Sequence, residues 1–214
     1  MIDIINRRYY NASRKQKEIS LNSQRMFFNS VAEQWDTMCV HDPKKINQIL
    51  DMICIKDGSQ VLDVACGTGV LAPFYHARNP HGQMTCVDIA EKMIEVANQK
   101  HQFENVTFVA ADILEYTPPV KLDLVMLYTC FPHFPDKKGV LQRLSAMLQP
   151  GGKICVSHSQ SRDEINHLHS AKEEVKEDRL PPAVDVSALM ESIGLKVLSC
   201  VDNDEMYVII GQVK

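Results

Sequence analysis

The sequence lacks any pairing pattern among its cysteines. The seven of them, Cys39, Cys54, Cys66, Cys86, Cys130, Cys155 and Cys200, are odd in number and scattered, with no C-x-x-C. That excludes a disulfide framework or a zinc knuckle and points to reduced thiols in the cytoplasm. No uncharged apolar run reaches the roughly 18 residues a membrane span needs, so no membrane partner is expected. The opening MIDIINRRYYNASRK has no apolar stretch of the kind a secretory signal carries. Internal repeats and low-complexity tracts are absent too. A hydrophobic content of 45% in 214 residues supports one ordinary buried core without disulfides or metals.

An excess of one charge is also missing, since 23 Lys and Arg against 27 Asp and Glu leave a net −4. The balance is uneven along the chain. Residues 1–25 carry Arg7, Arg8, Arg14, Lys15, Lys17 and Arg25 against Asp3 and Glu18, a local +4 that leaves the rest near −8. An acidic main body argues against nucleic acid as a partner. The expected organisation is a basic, solvated N-terminal extension over 1–30 and one domain over 31–214. Nothing in the composition speaks to oligomeric state.

Beyond the extension, strand-like and helix-like segments alternate. This is the signature of an α/β fold, a doubly wound and mostly parallel sheet with helices on both faces. Strands are expected at Ser59–Ala65, Gln83–Asp88, Val106–Ala111, Leu122–Tyr128 and Lys153–His158. The fourth is almost wholly apolar, as a strand buried on both faces should be. Helices are expected at Val70–Arg78, Ala90–His101, Lys137–Leu148, Asp163–Asp178 and Val186–Ile193, the third stopped by Pro150-Gly151-Gly152. Two last strands, Lys196–Asp202 and Met206–Val213, flank Asn203-Asp204-Glu205 and suit an antiparallel hairpin at the sheet edge. The count is seven strands.

Between the first strand and its helix lies Asp63-Val64-Ala65-Cys66-Gly67-Thr68-Gly69, where glycines let a ligand approach backbone N–H groups closely. Read mechanically, Gly67 to Ala72 satisfies G-x-G-x-x-A, and Asp88 lies about 20 residues further on, which is the dinucleotide pattern. Two acids weigh against NAD. Asp63 sits inside the strand, where its carboxylate suits an ammonium and repels a pyrophosphate. Asp112 ends the third strand, so Asp63, Asp88 and Asp112 line successive carboxyl ends of the sheet, where ligands bind in such folds. Three acids suit a ligand with an ammonium, a ribose diol and an exocyclic amine.

S-adenosylmethionine is such a ligand, and the chain resembles the class I SAM-dependent methyltransferases. DVACGTG resembles their first motif, Val87-Asp88-Ile89 the acidic-loop motif, Ala111-Asp112-Ile113 the adenine-contacting motif, and Leu148-Gln149-Pro150-Gly151-Gly152 the turn before the fifth strand. The run from Phe27 to Asp36 is similar to the lid of the small-molecule branch, which contains the quinone methyltransferases. The resemblance covers about residues 27–213 and implies a Rossmann-like enzyme that methylates a small molecule. It implies that Asp63 and the backbone of Ala65, Gly67 and Gly69 hold the methionine moiety. Asp88 would take the ribose hydroxyls, Ile89 and Met93 would pack on adenine, Asp112 and Ile113 would read its edge, and Tyr128 with Thr129 would line the sulfonium. Cys66 departs from the pattern, which usually has glycine there. Methyl transfer to RNA or protein, or a non-catalytic SAM- or metal-binding regulator, are the alternatives.

The acceptor in such enzymes lies over the fourth and fifth strands, where His133 follows one and His158 ends the other. Arg162, Asn166 and His169 share one face of the next helix at i, i+4 and i+7. Three readings remain open. His133 or His158 is a general base, since histidine ordinarily titrates near neutrality. His133, His158 and His169 hold a divalent metal. Or these histidines only cap strands and loops. His41, His76, His81 and His101 are expected at the surface.

Overall fold

The computed structural model describes residues 21–39, 41–171, 173 and 175–214. The basic residues expected in an extension lie outside that set, apart from Arg25, which pairs with Glu91. Residues 21–31 are helical (α1), so the expected boundary at 30/31 falls inside a helix. A single 3-10 turn leads to α2 (Trp35–Met38) and then α3 (Pro43–Ile53).

Five parallel strands follow, β1 (Gln60–Val64), β2 (Gln83–Asp88), β3 (Val106–Ala110), β4 (Leu122–Tyr128) and β5 (Leu148–His158). They alternate with α4 (Ala72–Arg78), α5 (Glu91–Lys100) and α6 (Lys137–Ser145). The chain closes with α7 (Arg162–Ser170), α8 (Ala183–Ser192), β6 (Lys196–Asp202) and β7 (Tyr207–Gln212). The seven strands lie in the order β3-β2-β1-β4-β5-β7-β6.

Strand pleating sorts the core onto two faces. Leu62, Val125, Leu127, Ile154, Val156 and Ile209 pack on one side with α6 and α8. Their neighbours Val61, Leu124, Met126, Cys155, Val208 and Ile210 pack on the other with α3 and α4. β7 pairs antiparallel with both β5 and β6, so the edge strand is β6. The burial patterns agree. β6 alternates half-buried and exposed residues, while β7 is buried along nearly its whole length.

Three elements differ from the sequence expectation. No element was expected between Asp36 and Ser59, yet α3 is there and well signalled. Asp42 caps it by accepting from the backbone N of Lys44, Pro43 occupies its first turn, and Ile46, Ile49, Leu50 and Ile53 form its buried stripe. The expected helix over Lys137–Leu148 ends at Ser145. β5 then begins at Leu148 and runs through Pro150-Gly151-Gly152, because Leu148 pairs with Leu122 and the turn bulges out of β5 before pairing resumes at Leu124 and Lys153. The helix expected to reach Asp178 ends at Ser170, since among the described residues from 171 to 178, most of them charged, only Val175 is buried.

At the amino ends of β1, β2 and β3 a polar knot sets the strand registers. Asn79 is fully buried; its side chain accepts from Ser59 N at 3.0 Å and donates to Ser59 O at 2.9 Å. Its carbonyl accepts from Asn105 Nδ2 at 2.9 Å. Truncation at Asn79 removes both side-chain bonds and leaves Ser59 N only its longer contact to the Lys56 carbonyl at 3.3 Å, and each lost bond costs about 0.5–1.5 kcal/mol. Asn79→Ala is therefore expected to lower unfolding free energy by about 1–3 kcal/mol, read from the urea midpoint at unchanged m-value.

Candidate active site

The order β3-β2-β1-β4-β5 reverses direction between β1 and β4, and a crevice opens at their carboxyl ends. Each strand leaves the sheet there through a left-handed residue, Ala65 at φ 52° and Thr129 at φ 58°. That conformation is costly for any side chain and rarest for a β-branched one. Both residues line a cavity of about 940 Å³. Gly67 and Gly69 are left-handed as well, at φ 55° and 79°. A Cβ on Gly69 would lie 2.8 Å from Phe108 Cε1 and 3.0 Å from His101 Cδ2, so packing as well as φ demands glycine.

Two carboxylates face each other under this loop. Asp63, in β1, is only 2% exposed and lines the cavity. Burial, reinforced by the charge of Asp88, pushes its carboxyl up to about 8. No hydrogen-bond donor among the described residues offsets that burial. Asp88, at the end of β2, accepts from Gly67 N and Ala90 N at 2.8 Å each, bonds that pin the glycine loop onto the neighbouring strand. Burial raises the Asp88 carboxyl too, and those backbone donors act against it.

The remaining residues singled out for the cofactor also reach this cavity. Ile89, Met93, Asp112, Ile113 and Tyr128 all line it. Asp112 Oδ1 accepts from Leu114 N at 2.8 Å, shaping the turn after β3. The donor set suits S-adenosylmethionine: an undonated carboxylate for its ammonium, a second acid one strand away and an apolar slot beyond.

The N-terminal helices roof the crevice. Phe27, Phe28 and Trp35 line the cavity, with Phe28 edge-on to Trp35 at 5.5 Å and to His133 at 5.4 Å. Asp36 accepts from Thr68 Oγ1 at 2.6 Å and pairs with Lys100 at 2.5 Å, fastening the roof to the glycine loop.

The histidines separate. His133 and His169 both line the cavity and stack at 5.2 Å between ring centroids. Nδ1 of His133 lies 2.7 Å from Asp178 Oδ2, and Nδ1 of His169 meets the Asp178 carbonyl. Arg162 and Asn166 do not join them. Arg162 pairs with Asp202, and Asn166 bonds the backbone of Leu180 in both directions.

His158 is 1% exposed and not part of the cavity wall, so it is not placed to touch an acceptor. Among the described residues, no group of three His, Cys, Asp or Glu side chains is placed to hold a metal ion. The trio His133, His158 and His169 is therefore not assembled as ligands.

Two functional candidates escaped the sequence reading. His41, expected at the surface, lines the cavity with Nδ1 3.1 Å from the Tyr128 hydroxyl, which donates to Ser159 Oγ at 2.8 Å. Only its place just ahead of the Asp42-Pro43 helix start signals it. Asp178 is the last residue of the helix expected over Asp163–Asp178, and no local pattern distinguishes it from its charged neighbours.

Burial lowers His158 to about 3, with the charges of His133 and His169 acting the same way. Neither of its ring nitrogens has a hydrogen-bond partner among the described residues. Between that value and the ordinary 6.5 the unfolded chain binds a proton that the native state refuses, so stability falls as pH drops through this window. His158→Leu removes the orphaned nitrogens and the titration together. Its urea midpoint is expected to equal or exceed the parent's at pH 7.5 and to fall less at pH 5.

Known proteins resemble the chain in sequence and in fold. A methyltransferase-domain model matches residues 55–208. The malonyl-[acyl-carrier protein] O-methyltransferase of Acetivibrio thermocellus is 34% identical over 134 residues, 62% of this chain and 47% of that protein. The ubiquinone biosynthesis O-methyltransferase of Leptothrix cholodnii is 32% identical over 122 residues, 54% of this chain and 51% of that protein. The chain thus spans about half the length of the curated relatives it matches. A SAM dependent methyltransferase from Aquifex aeolicus shares the fold at a TM-score of 0.67 and 19% identity, over 87% of this chain and 98% of that one. The dinucleotide reading of the glycine loop gives way to this match, and the chain belongs to the methyltransferase-domain family.

Proposed function

We propose that the protein transfers a methyl group from S-adenosylmethionine to a small-molecule acceptor in the same cavity. The observation that carries the reading is Asp63, a buried carboxylate without a donor beside a left-handed glycine loop. An ammonium is the partner such a group lacks. The names of the sequence relatives, both O-methyltransferases, support an oxygen acceptor.

In this reading Asp63 and the backbone of Ala65, Gly67 and Gly69 hold the methionine end, and Asp88 takes the ribose hydroxyls through the lone pairs its backbone bonds leave open. Ile89, Met93, Asp112 and Ile113 receive the adenine, and Tyr128 stands at the inner end. The cofactor supplies an already activated methyl on a sulfonium, so the chain's task is alignment and exclusion of water. Phe27, Phe28 and Trp35 exclude water from above. His133 takes the acceptor's proton, and Asp178 holds its ring. The seven free thiols support a reducing, cytoplasmic setting.

Asp63 also sets a test in which stability and affinity move in opposite directions. Its carboxyl, raised from 3.8 to about 8, makes the native state hold a proton the unfolded chain releases, so unliganded stability drops as pH rises through that window. Asp63→Asn is expected to raise the unliganded urea midpoint at pH 8 while weakening S-adenosylhomocysteine at least about tenfold by calorimetry. Unchanged affinity in a folded Asp63→Asn protein would remove the basis of the reading.

A further inference from the structure

We infer that the acceptor is a neutral phenolic hydroxyl on a flat apolar body, and that the site discriminates against carboxylate acceptors. The inference rests on the methyltransferase reading of this cavity and goes beyond it to the acceptor's chemical class.

Charge gives the first argument. Among the described residues lining the cavity, the acids Asp63, Asp88, Asp112 and Glu115 stand against one Lys or Arg, Arg143. Its guanidinium donates to the Tyr116 carbonyl at 2.9 Å and reaches the Thr117 hydroxyl at 3.4 Å. Lys137, close by, turns its ammonium to the carbonyls of Pro132 and Phe134 at 3.3 and 3.0 Å. A second ligand carrying a carboxylate would enter a cavity whose described acids outnumber its one described Lys or Arg. Burying an unpaired charge is the most expensive form of desolvation.

The second argument is the His133–Asp178 pair. A carboxylate acceptor is already ionised and nucleophilic, so a base beside it has no proton to remove. A phenol, with an ordinary pKa near that of tyrosine at about 10, needs one. An ionised carboxylate only accepts, so the 2.7 Å contact to Asp178 Oδ2 places the His133 proton on Nδ1 and leaves the lone pair on Nε2. The same carboxylate stabilises the ring once it is cationic. The acceptor oxygen gives its proton to Nε2 of His133, and its electron pair forms the O–CH3 bond while the C–S pair leaves with sulfur as a neutral thioether. The imidazolium then returns its proton to solvent.

Shape gives the third argument. The wall beside His133 is built of rings, with Phe27 edge-on to Phe28 at 5.2 Å, Phe28 edge-on to His133 at 5.4 Å, and His133 stacked on His169 at 5.2 Å. Such ring clusters favour another ring. Two leucines on the cavity lining, Leu114 and Leu168, are each 46% exposed and make the approach apolar. A volume of about 940 Å³ leaves room for an acceptor beside the cofactor.

Matched pairs that differ only in the reacting group test this on the full chain: 2-naphthol against 2-naphthoate, and 4-hydroxybiphenyl against biphenyl-4-carboxylate. Trp35, the sole tryptophan, lines the cavity and reports filling by fluorescence in protein saturated with S-adenosylhomocysteine. At least one phenol is expected to bind at least about tenfold more tightly than its acid, the weight of one uncompensated charge. Isotope-labelled S-adenosylmethionine is expected to yield its methyl ether. His133→Asn is expected to slow that product at least about 100-fold with S-adenosylhomocysteine affinity retained. Asp178→Asn, a change at a positioning residue, is expected to lower kcat while leaving KM for the phenol in place. An acid that binds as tightly as its phenol, an ester formed faster than the ether, or phenols that fail to bind the loaded protein would overturn the inference alone. Failure of S-adenosylhomocysteine to bind would overturn the cofactor reading and this inference with it.

Discussion

Ala65 and Thr129 hold a conformation that side chains resist, and they hold it within one residue of the same level on neighbouring strands. The sheet's reversal at β1 and β4 forces the chain to leave in opposite directions at this point, and the two turns keep the gap open. The left-handed turn after β1 sets Gly67 N against Asp88, and the one after β4 leads into the 3-10 turn that carries His133. Strain at such positions survives only where surrounding packing over-determines it. The two core faces supply that packing, with Val64 and Leu127 of the converging strands fully buried.

The electrostatics of the crevice follow from the same geometry. Parallel strands in register bring Asp63 and Asp88 close together where water is scarce. Among the described residues neither carboxylate meets a cationic side chain, and only Asp88 is satisfied by backbone donors. A protein stabilised for its own sake would place an apolar residue at Asp63. Retaining the acid makes sense if the missing partner arrives with a ligand, so part of the unliganded chain's stability is exchanged for affinity.

Much of this was legible in the sequence because it is local. Alternation of short apolar strands with helical spacing gave the sheet, and β2 and β4 have the bounds expected for them. Asp63, Gly67, Gly69, Asp88 and Asp112 were readable because strand-end position determines what meets in this fold. What was not legible depends on long-range packing. The Asp178 carboxylate reaches His133 across forty-five positions, after a helix that stops earlier than its charge pattern suggests. His158 ends a strand next to the acceptor region, and sequence position alone does not show that its ring turns into the core against Tyr207.

The roof joins the two halves of the site more closely than either half's motifs imply. Asp36 ties it to Thr68 of the glycine loop and to Lys100 of α5, and Asn29 bonds both Glu91 and the backbone of Lys92. At its other end Gln24 donates to the His133 carbonyl at 3.2 Å and lies 3.5 Å from the Asp178 carboxylate. The roof thus touches the loop assigned to the cofactor and the pair assigned to the base. Each polar tie is partly exposed and worth about 1 kcal/mol or less, and beneath them Ala32, Phe28, Val31 and Trp35 pack on Ala90 and Met93, so the roof is held by an apolar seam as well as by polar bonds. A cover tied at both ends and packed along its length links the two halves of the site, and its rings wall off from water the cavity in which methyl transfer is proposed to occur.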